Sequence, residues 1–301
     1  MDEIDLELCV LLAEKSRTPY RELAEKVDLS VNAVHSRVQK MIDMGILQEF
    51  YAKISTRALK GSVFIWVEGK SNTEDIKKVL DALGDNENIF KVVSSSSQYL
   101  YVEGLLKDIT EMNDFTNEVK EKAQINDPKV FIPDTEGGKL PEGFEFSKLD
   151  YQIIYSMHKD SRKPLSDVAE HVGVSSKTVR RRLNDMEEVG AIEFGIKMRP
   201  TKSSDFICFL SLDIRPKYDR KKVMYEIRDK YFPNINDIYL ASNEPRRAVA
   251  NAWAKTLDDI HELKDNLRKE GYFDSIRSQL FYDGRTYDTW RDDLLIEKAK
   301  V

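Results

Sequence analysis

The start of the chain has apolar residues at helical spacing. Ile4, Leu8 and Leu11 would share one face of a helix, because positions three and four apart are neighbours on a helix surface. A second short stretch places Leu23 and Val27 on one face in the same way. The hydrophobic pattern therefore predicts two amphipathic helices in close succession.

Local signals set the ends of these helices and predict a third. Pro19 suits the first turn of the second helix, where a missing N–H costs no hydrogen bond. After a tight turn at residues 28–29, Ser30 is placed to cap a third helix, and Gly45 suits the left-handed residue that ends it. This arrangement predicts a helix-turn-helix, followed at residues 46–54 by the extended strand of a wing.

The same pattern returns 145 residues later without a gap. Residues 4–47 align with residues 149–192, and the second wing strand falls at residues 191–198. The identities include Asp5 with Asp150, Arg17 with Arg162, Pro19 with Pro164, Ser30 with Ser175, Val34 with Val179, Arg37 with Arg182, and Gly45 with Gly190. So many identities in one register exceed chance, and the sequence therefore predicts an internal tandem duplication.

A second shared pattern follows each wing. Residues 61–69 and 205–214 are rich in bulky and β-branched side chains, as strands are. Each is followed by a charged helix, two strands, another helix and a last strand. The order β-α-β-β-α-β is that of a ferredoxin-like domain. The predicted fold class is α+β, with two winged helix-turn-helix domains alternating with two ferredoxin-like domains.

These patterns predict six segments. They are a winged helix-turn-helix at 1–57, a ferredoxin-like domain at 58–134, a linker at 135–146, a second winged helix-turn-helix at 147–202, a second ferredoxin-like domain at 203–286 and a tail at 287–301. The glycines and proline of the linker are typical of an exposed connection. The tail is predicted to form a short exposed helix without a function of its own.

Composition excludes several classes of protein. The 301 residues include no run of about 18 apolar positions, which a membrane helix would need. The acidic N-terminus differs from a secretion signal, so we expect a cytoplasmic protein with no membrane partner. Cys9 and Cys208 lack metal-ligand spacing and are expected to be buried, reduced thiols. We expect no metal and no cofactor.

The third helix of each copy holds the candidate chemistry. The net charge of −6 excludes wholesale coating of phosphates, so any DNA contact requires a local basic surface. With Val179, Leu183 and Met186 facing the core, guanidinium, ammonium and amide groups point outward. Arginine pairs with guanine edges in the major groove, and asparagine or glutamine with adenine. Solvation of an ordinary charged helix face is the alternative.

The DNA-binding candidates come from both copies. In the second copy they are Ser175, Lys177, Thr178, Arg180, Arg181, Arg182 and Asn184, and in the first they are Asn32, His35, Ser36, Arg37 and Gln39. Arg37 and Arg182 lie nearer the core edge, where either a phosphate or an acid of the same chain would suit them. The second recognition helix is strongly cationic and the first nearly neutral. We therefore expect the second copy to dominate binding, because phosphate contacts supply much of the affinity.

The sequence resembles the Lrp/AsnC family of transcription regulators. Residues 4–47 and 149–192 carry the match, and a helix-turn-helix followed by a βαββαβ domain covers nearly the whole chain twice. The resemblance implies that the third helices read double-stranded DNA and that the α/β domains pair through their sheets. It also implies a homo-oligomer and a small-molecule effector, often an amino acid.

The chain departs from the family in two respects. Family members usually have one copy per chain, so here the two α/β domains are expected to pair within the chain. The family's Gly-rich, Asp-containing turn between the middle strands is replaced by residues 94–99 and 242–248. Ser96, Ser97, Arg246 and Arg247 are candidates there for an anionic effector. Exposed hairpins without a ligand are the alternative.

Two other functions remain open. Lrp-like proteins also serve as siroheme decarboxylases, in which histidines of the α/β domain act on a tetrapyrrole's carboxylates. The four histidines of this chain, His35, His158, His171 and His261, fall outside the predicted strands where such a base is needed. We therefore expect no enzyme. A protein that uses the same fold for interactions without reading DNA is the second alternative.

Overall fold

The computed structural model describes residues 1–134 and 140–300, and the chain is α+β, as predicted. The described residues form two compact units. The helix-turn-helix unit contains residues 2–62, 140–199 and 288–300, and the α/β unit contains Met1 and residues 63–134 and 200–287.

The helices and strands follow the predicted order. In the first half they are α1 (Glu3–Glu14), α2 (Tyr20–Lys26), α3 (Val31–Asp43), β1 (Leu47–Ile54), β2 (Val63–Lys70), α4 (Ile76–Gly84), β3 (Ile89–Ser95), β4 (Tyr99–Leu106), α5 (Met112–Lys122) and β5 (Lys129–Phe131). In the second half they are α6 (Lys148–Ser156), α7 (Leu165–Val172), α8 (Ser176–Glu188), β6 (Ile192–Met198), β7 (Phe206–Ile214), α9 (Arg220–Tyr231), β8 (Ile235–Leu240), β9 (Arg247–Ala254), α10 (Leu257–Lys269), β10 (Phe273–Thr286) and α11 (Trp290–Ala299).

The predicted helix ends of the two helix-turn-helix domains are confirmed. Ser30 and Ser175 accept a backbone hydrogen bond three residues on, and so cap α3 and α8. Gly45 and Gly190, just beyond these helices, both have φ of 71°. Only a residue without Cβ adopts this conformation without strain. These signals fix where each recognition helix begins and ends.

The wings differ from the prediction. Each domain contributes one strand, and β1 and β6 pair with each other as an antiparallel two-stranded sheet. In this sheet Phe50 lies opposite Ile196 and Tyr51 opposite Gly195. A lone strand has no ladder partner for its backbone N–H and C=O groups, so each wing strand supplies hydrogen-bond partners to the other. The Tyr51 ring covers Gly195 so closely that a Cβ there would collide with its hydroxyl.

The loops between the first and second helices also join the two domains. Ser16 and Ser161 share a hydrogen bond of 2.6 Å between their hydroxyls. The Arg17 guanidinium donates to the carbonyl oxygen of Ser161, and that of Arg162 donates to the carbonyl oxygen of Ser16 at 2.6 Å. Every group in this contact has its counterpart 145 residues away, as in an interface with twofold symmetry.

The C-terminal helix is present, but the expectation that it is exposed was wrong. Helix α11 packs on α6 and buries Leu295 and Asp292. The Asp292 carboxylate is 2.8 Å from the Nζ atom of Lys53 on β1, and both side chains are almost fully buried. A short amphipathic helix gains most of its stability from such packing. Helix α11 therefore belongs to the core of the helix-turn-helix unit.

His158 lies beside this ion pair and gives the unit a pH dependence. Burial lowers the pKa of His158 below its usual value, although Asp292 at 3.5 Å opposes the shift. Below a pH of about 6.5 the unfolded chain binds the proton more readily, so the free energy of unfolding decreases as pH falls through this range. His158→Gln will flatten the dependence in denaturant titrations between pH 5 and 8. Coinciding pH profiles for the two proteins would contradict the prediction.

The α/β domains pair within the chain, as expected. Their strands form one eight-stranded sheet in the order β5-β2-β4-β3-β10-β7-β9-β8. The 14-residue strand β10 makes the junction, because its first half pairs with β7 of its own domain and its second half with β3 of the other. Residues after β5 make the matching contact, with a bridge between Pro133 and Ala241.

Aromatic side chains fill the inner face of this sheet. Trp66 stacks on Phe131 and Phe209, with ring centroids 4.9 and 5.7 Å apart. Trp66 and Trp253 are both buried. Cys9 and Cys208 are free and buried, and burial raises the pKa of each thiol to about 12. Both thiols therefore stay protonated at neutral pH.

The predicted linker lies partly outside the described residues, which resume at Leu140. In the remainder, residues 141–143 and 145 are exposed, whereas Phe144 and Phe146 pack on the core of the second helix-turn-helix domain. The rings of Phe146 and Tyr151 of α6 are 5.1 Å apart.

Across the described part of the chain, every helix is too short or too polar to cross a membrane.

Candidate nucleic-acid interface

Helix α8 has one apolar face and one cationic face. Val179, Leu183 and Met186 are buried against the other helices of the domain. Helical geometry then turns the remaining positions outward. The exposed side chains include Lys177, Arg180, Arg181 and Asn184, together with the acids Asp185 and Glu188 near the end of the helix. The structure thus presents these four predicted DNA-binding residues on one accessible surface.

Helix α3 has the same geometry with different chemistry. Val34, Val38 and Met41 form its buried face. Its exposed side chains include Asn32, His35, Ser36 and Gln39, all of them predicted candidates, together with the cation Lys40. The His35 ring packs edge-on against Tyr20 of α2, with centroids 5.2 Å apart, and the Gln39 amide donates to Asp43 at 2.9 Å. This surface offers polar groups to DNA but little positive charge.

Two predicted arginines serve the fold rather than the exposed surface. Arg37 donates to Asp2 and Asp5 at 2.7 Å, and these bonds raise its pKa. Arg182 lies 3.1 Å from Asp150, the counterpart of Asp5. Both cations tie the recognition helix to the first helix of the domain. The sequence left either a phosphate or an acid of the same chain as the partner of these two arginines. In the structure each arginine pairs with an acid of the same chain.

The remaining two candidates lie at the start of α8. The Ser175 hydroxyl accepts from the Thr178 amide at 3.2 Å and shares a 2.9 Å hydrogen bond with the Thr178 hydroxyl. Their side chains therefore satisfy the helix N-terminus. Helix N-termini attract phosphate, so this end of α8 suits the DNA backbone.

Loss of the Arg182 guanidinium will destabilise the second domain. Asp150 is buried, so Arg182→Ala leaves its carboxylate without the nearby cation and lowers the free energy of unfolding by roughly 1–3 kcal/mol. The neighbouring Arg181 pairs at 3.4 Å with Asp185 at an exposed site. Arg181→Ala is the control, because exposed ion pairs contribute little. Equal unfolding midpoints in denaturant for the two variants would contradict this role.

Arg17 and Arg162 are structural residues that the sequence marked only as identities. Each donates across the junction between the two domains, and the Arg162 guanidinium also lies over the Tyr20 ring at 4.3 Å. A cation retained in the same loop of both copies was the available signal. Its partner lies in the other copy, so no local pattern identifies the contact.

The proposed effector residues are engaged within the α/β unit. The Ser96 hydroxyl donates to Gln279 at 2.8 Å, while Ser97 is exposed. Arg246 pairs with Asp274 and donates to the carbonyl oxygen of Ile214 at 3.2 Å. An anion at this turn would compete with the Asp274 carboxylate.

Arg247 is buried and pairs with Glu68, which also accepts from the Tyr99 hydroxyl at 3.1 Å. Burial opposes the charge of Arg247, but the nearby Glu68 carboxylate outweighs it and raises the pKa. Glu68 thus brings the ends of the two predicted turns together. An anionic ligand would have to displace this carboxylate from Arg247.

Two family models match the helix-turn-helix domains. Residues 1–48 match a winged helix-turn-helix DNA-binding model, and residues 147–187 match an AsnC-type helix-turn-helix domain. Both matched ranges contain a recognition helix described above.

Curated relatives match less than half of the chain but most of their own length. The HTH-type transcriptional regulator LrpA of Pyrococcus abyssi is 30% identical over 131 residues, which cover 42% of this chain and 87% of the relative. An uncharacterized HTH-type transcriptional regulator of Pyrococcus furiosus is 31% identical over 138 residues, covering 44% of this chain and 93% of the relative.

One solved structure is similar over the full length. The crystal structure of the siroheme decarboxylase NirDL aligns with a TM-score of 0.61 and 14% sequence identity, covering 98% of both chains. At this identity the likeness shows a shared fold.

Proposed function

Because this chain belongs to the Lrp/AsnC family of transcription regulators, we propose that it is a sequence-specific DNA-binding transcription regulator with α3 and α8 in the major groove. The main observation that supports this function is the outward face of α8, where Lys177, Arg180 and Arg181 are exposed on a helix capped at both ends. Such a face supplies both phosphate contacts and donors for base edges.

The proposal includes a tandem duplication within the chain. The gapless match of residues 4–47 to 149–192 supports it, and so do the reciprocal contacts of Arg17 and Arg162. On this basis one chain supplies what two subunits supply in a dimer. We further propose that whole chains associate and that the protein lies in the cytoplasm. A small effector is proposed to bind near Ser96, Ser97, Arg246 and Arg247.

A gel-shift assay on the DNA upstream of the protein's own gene tests the central claim. A labelled duplex from this region should be retained in the presence of excess unlabelled duplex of scrambled sequence, and retention should weaken with salt. An unrelated duplex of equal length and base composition is the control. Equal retention of both duplexes would leave only a non-specific binder, and retention of neither would favour an interaction protein.

A siroheme decarboxylase is the second candidate, favoured by the full-length likeness to NirDL. All four histidines lie within the described residues. His35, His171 and His261 are exposed on α3, α7 and α10, and His158 is buried beside Asp292. A tetrapyrrole site in the eight-stranded sheet would therefore use other titratable groups. The absorbance of the protein in the Soret region after incubation with an iron tetrapyrrole distinguishes the candidates.

A further inference from the structure

The two helix-turn-helix domains are joined as twofold mates. Arg17 donates to the carbonyl oxygens of Ser161 and Lys163, and Arg162 donates to those of Ser16 and Thr18. Each bond of the first arginine is repeated by the second at positions 145 residues away. Where such mates carry identical recognition helices, the DNA site is a palindrome, because its symmetry mirrors that of the protein.

The strand pairing obeys the same symmetry. Phe50 opposite Ile196 and Tyr51 opposite Gly195 are equivalent pairs, because each residue lies 145 positions from a member of the other pair. The same twofold symmetry therefore relates the two strands of the β1–β6 sheet as well as the two loops. The buried contact of Lys53 with Asp292 adds α11 to the same unit.

The recognition surfaces break this symmetry. At equivalent exposed positions Asn32 stands for Lys177, His35 for Arg180 and Ser36 for Arg181. Gln39 and Asn184 are both amides. The backbone frame is thus symmetric, while three exposed cations of α8 have no lysine or arginine at the equivalent positions of α3. One exposed pair shows the reverse, with Lys40 on α3 in the place of Asp185 on α8.

We infer that this unit reads an asymmetric duplex, with guanine-containing base pairs under α8 and adenine-containing base pairs under α3, so that the chain binds in one orientation. The inference rests on the proposed function. Arginine donates bidentately to guanine O6 and N7, whereas asparagine and glutamine match adenine N6 and N7. The cations of α8 attract phosphate, so the guanine half-site carries more of the salt dependence.

Selection from a pool of random duplexes with the full chain tests the inference. The expected product is one non-palindromic sequence in which exchanging the two half-sites lowers affinity by roughly tenfold or more. The triple variant Asn32→Lys, His35→Arg and Ser36→Arg gives α3 the three exposed cations of α8. All three positions are exposed, so the fold should persist, and this variant should enrich a palindrome of the guanine half-site.

Site-directed cleavage assigns each half-site to its helix. A DNA-cleaving iron chelate attached at Asp43→Cys should cut beside the adenine half-site, and one at Glu188→Cys beside the guanine half-site, because both residues are exposed near the ends of their helices. A palindrome selected by the unaltered chain, or cleavage from Glu188→Cys alone, overturns the inference and leaves the proposed function intact. Enrichment of no sequence at all overturns the proposed function itself.

Discussion

Replacing Lys177, Arg180 and Arg181 together with alanine will reduce DNA affinity by on the order of a hundredfold or more. Each arginine that reads a guanine contributes about 1–3 kcal/mol of discrimination between bases. Log affinity falls as log salt concentration rises, and each lost phosphate contact makes this slope less steep by about 0.9. All three side chains are exposed on α8. Binding to a labelled specific duplex at several salt concentrations measures both effects.

Two matched triple variants serve as controls. Removing Lys222, Arg228 and Lys230 from the exposed face of α9 deletes the same charge from the α/β unit, and should leave affinity nearly unchanged. Replacing Asn32, His35 and Ser36 with alanine should reduce affinity with a smaller change in salt slope, because none of the three is a lysine or an arginine. An α8 variant with unchanged affinity and salt slope would contradict the assignment of α8 as the main DNA-reading helix.

Asp292→Ala will lower the free energy of unfolding of the helix-turn-helix unit by about 3–5 kcal/mol, the range for removing one partner of a buried ion pair. Lys53 and Asp292 are 6% and 2% exposed, and the substitution leaves the ammonium group buried without its carboxylate. Burial already lowers the pKa of Lys53, with Asp292 opposing the shift. Asp292 also accepts from the Thr289 amide at 2.8 Å, so α11 loses its cap as well.

Asp293→Ala is the control for this prediction. Asp293 lies in the same first turn of α11 but is exposed, so its loss should change stability by no more than about 0.5 kcal/mol. Denaturant unfolding followed by far-UV circular dichroism compares the variants. The double variant Lys53→Met with Asp292→Leu should recover most of the loss, because a packed apolar pair often matches a buried ion pair. Equal unfolding midpoints for Asp292→Ala and Asp293→Ala would contradict a stabilising role for Asp292.

The recognition helices show which structural features the local sequence pattern can predict. Ser30, Ser175, Gly45 and Gly190 fixed the ends of α3 and α8, because capping and left-handed backbone depend on neighbours within a few residues. The periodicity of Val179, Leu183 and Met186 also determined which side chains point outward. Local chemistry was sufficient for these features.

The ion-pair partners of several arginines could not be identified from the sequence pattern alone. Arg37 and Arg182 were assigned either a phosphate or an acid, and only the fold showed that Asp5 and Asp150 are within reach. Arg246 and Arg247 suggested an anion site, yet the sheet places Asp274 and Glu68 beside them. An arginine offers the same donors to any acid, so the sequence alone cannot choose between a ligand and a distant carboxylate.

The sequence by itself determined the order of elements, the repeated helix-turn-helix pattern and the unequal charge of the two recognition helices. Only the tertiary structure decided that β1 and β6 pair with each other, that β10 spans both α/β domains, and that one face of α11 is buried. The physical reason is the range of the interactions. Caps and amphipathic faces are set by residues within one or two helical turns, whereas strand pairing and the Lys53–Asp292 contact join residues more than a hundred positions apart.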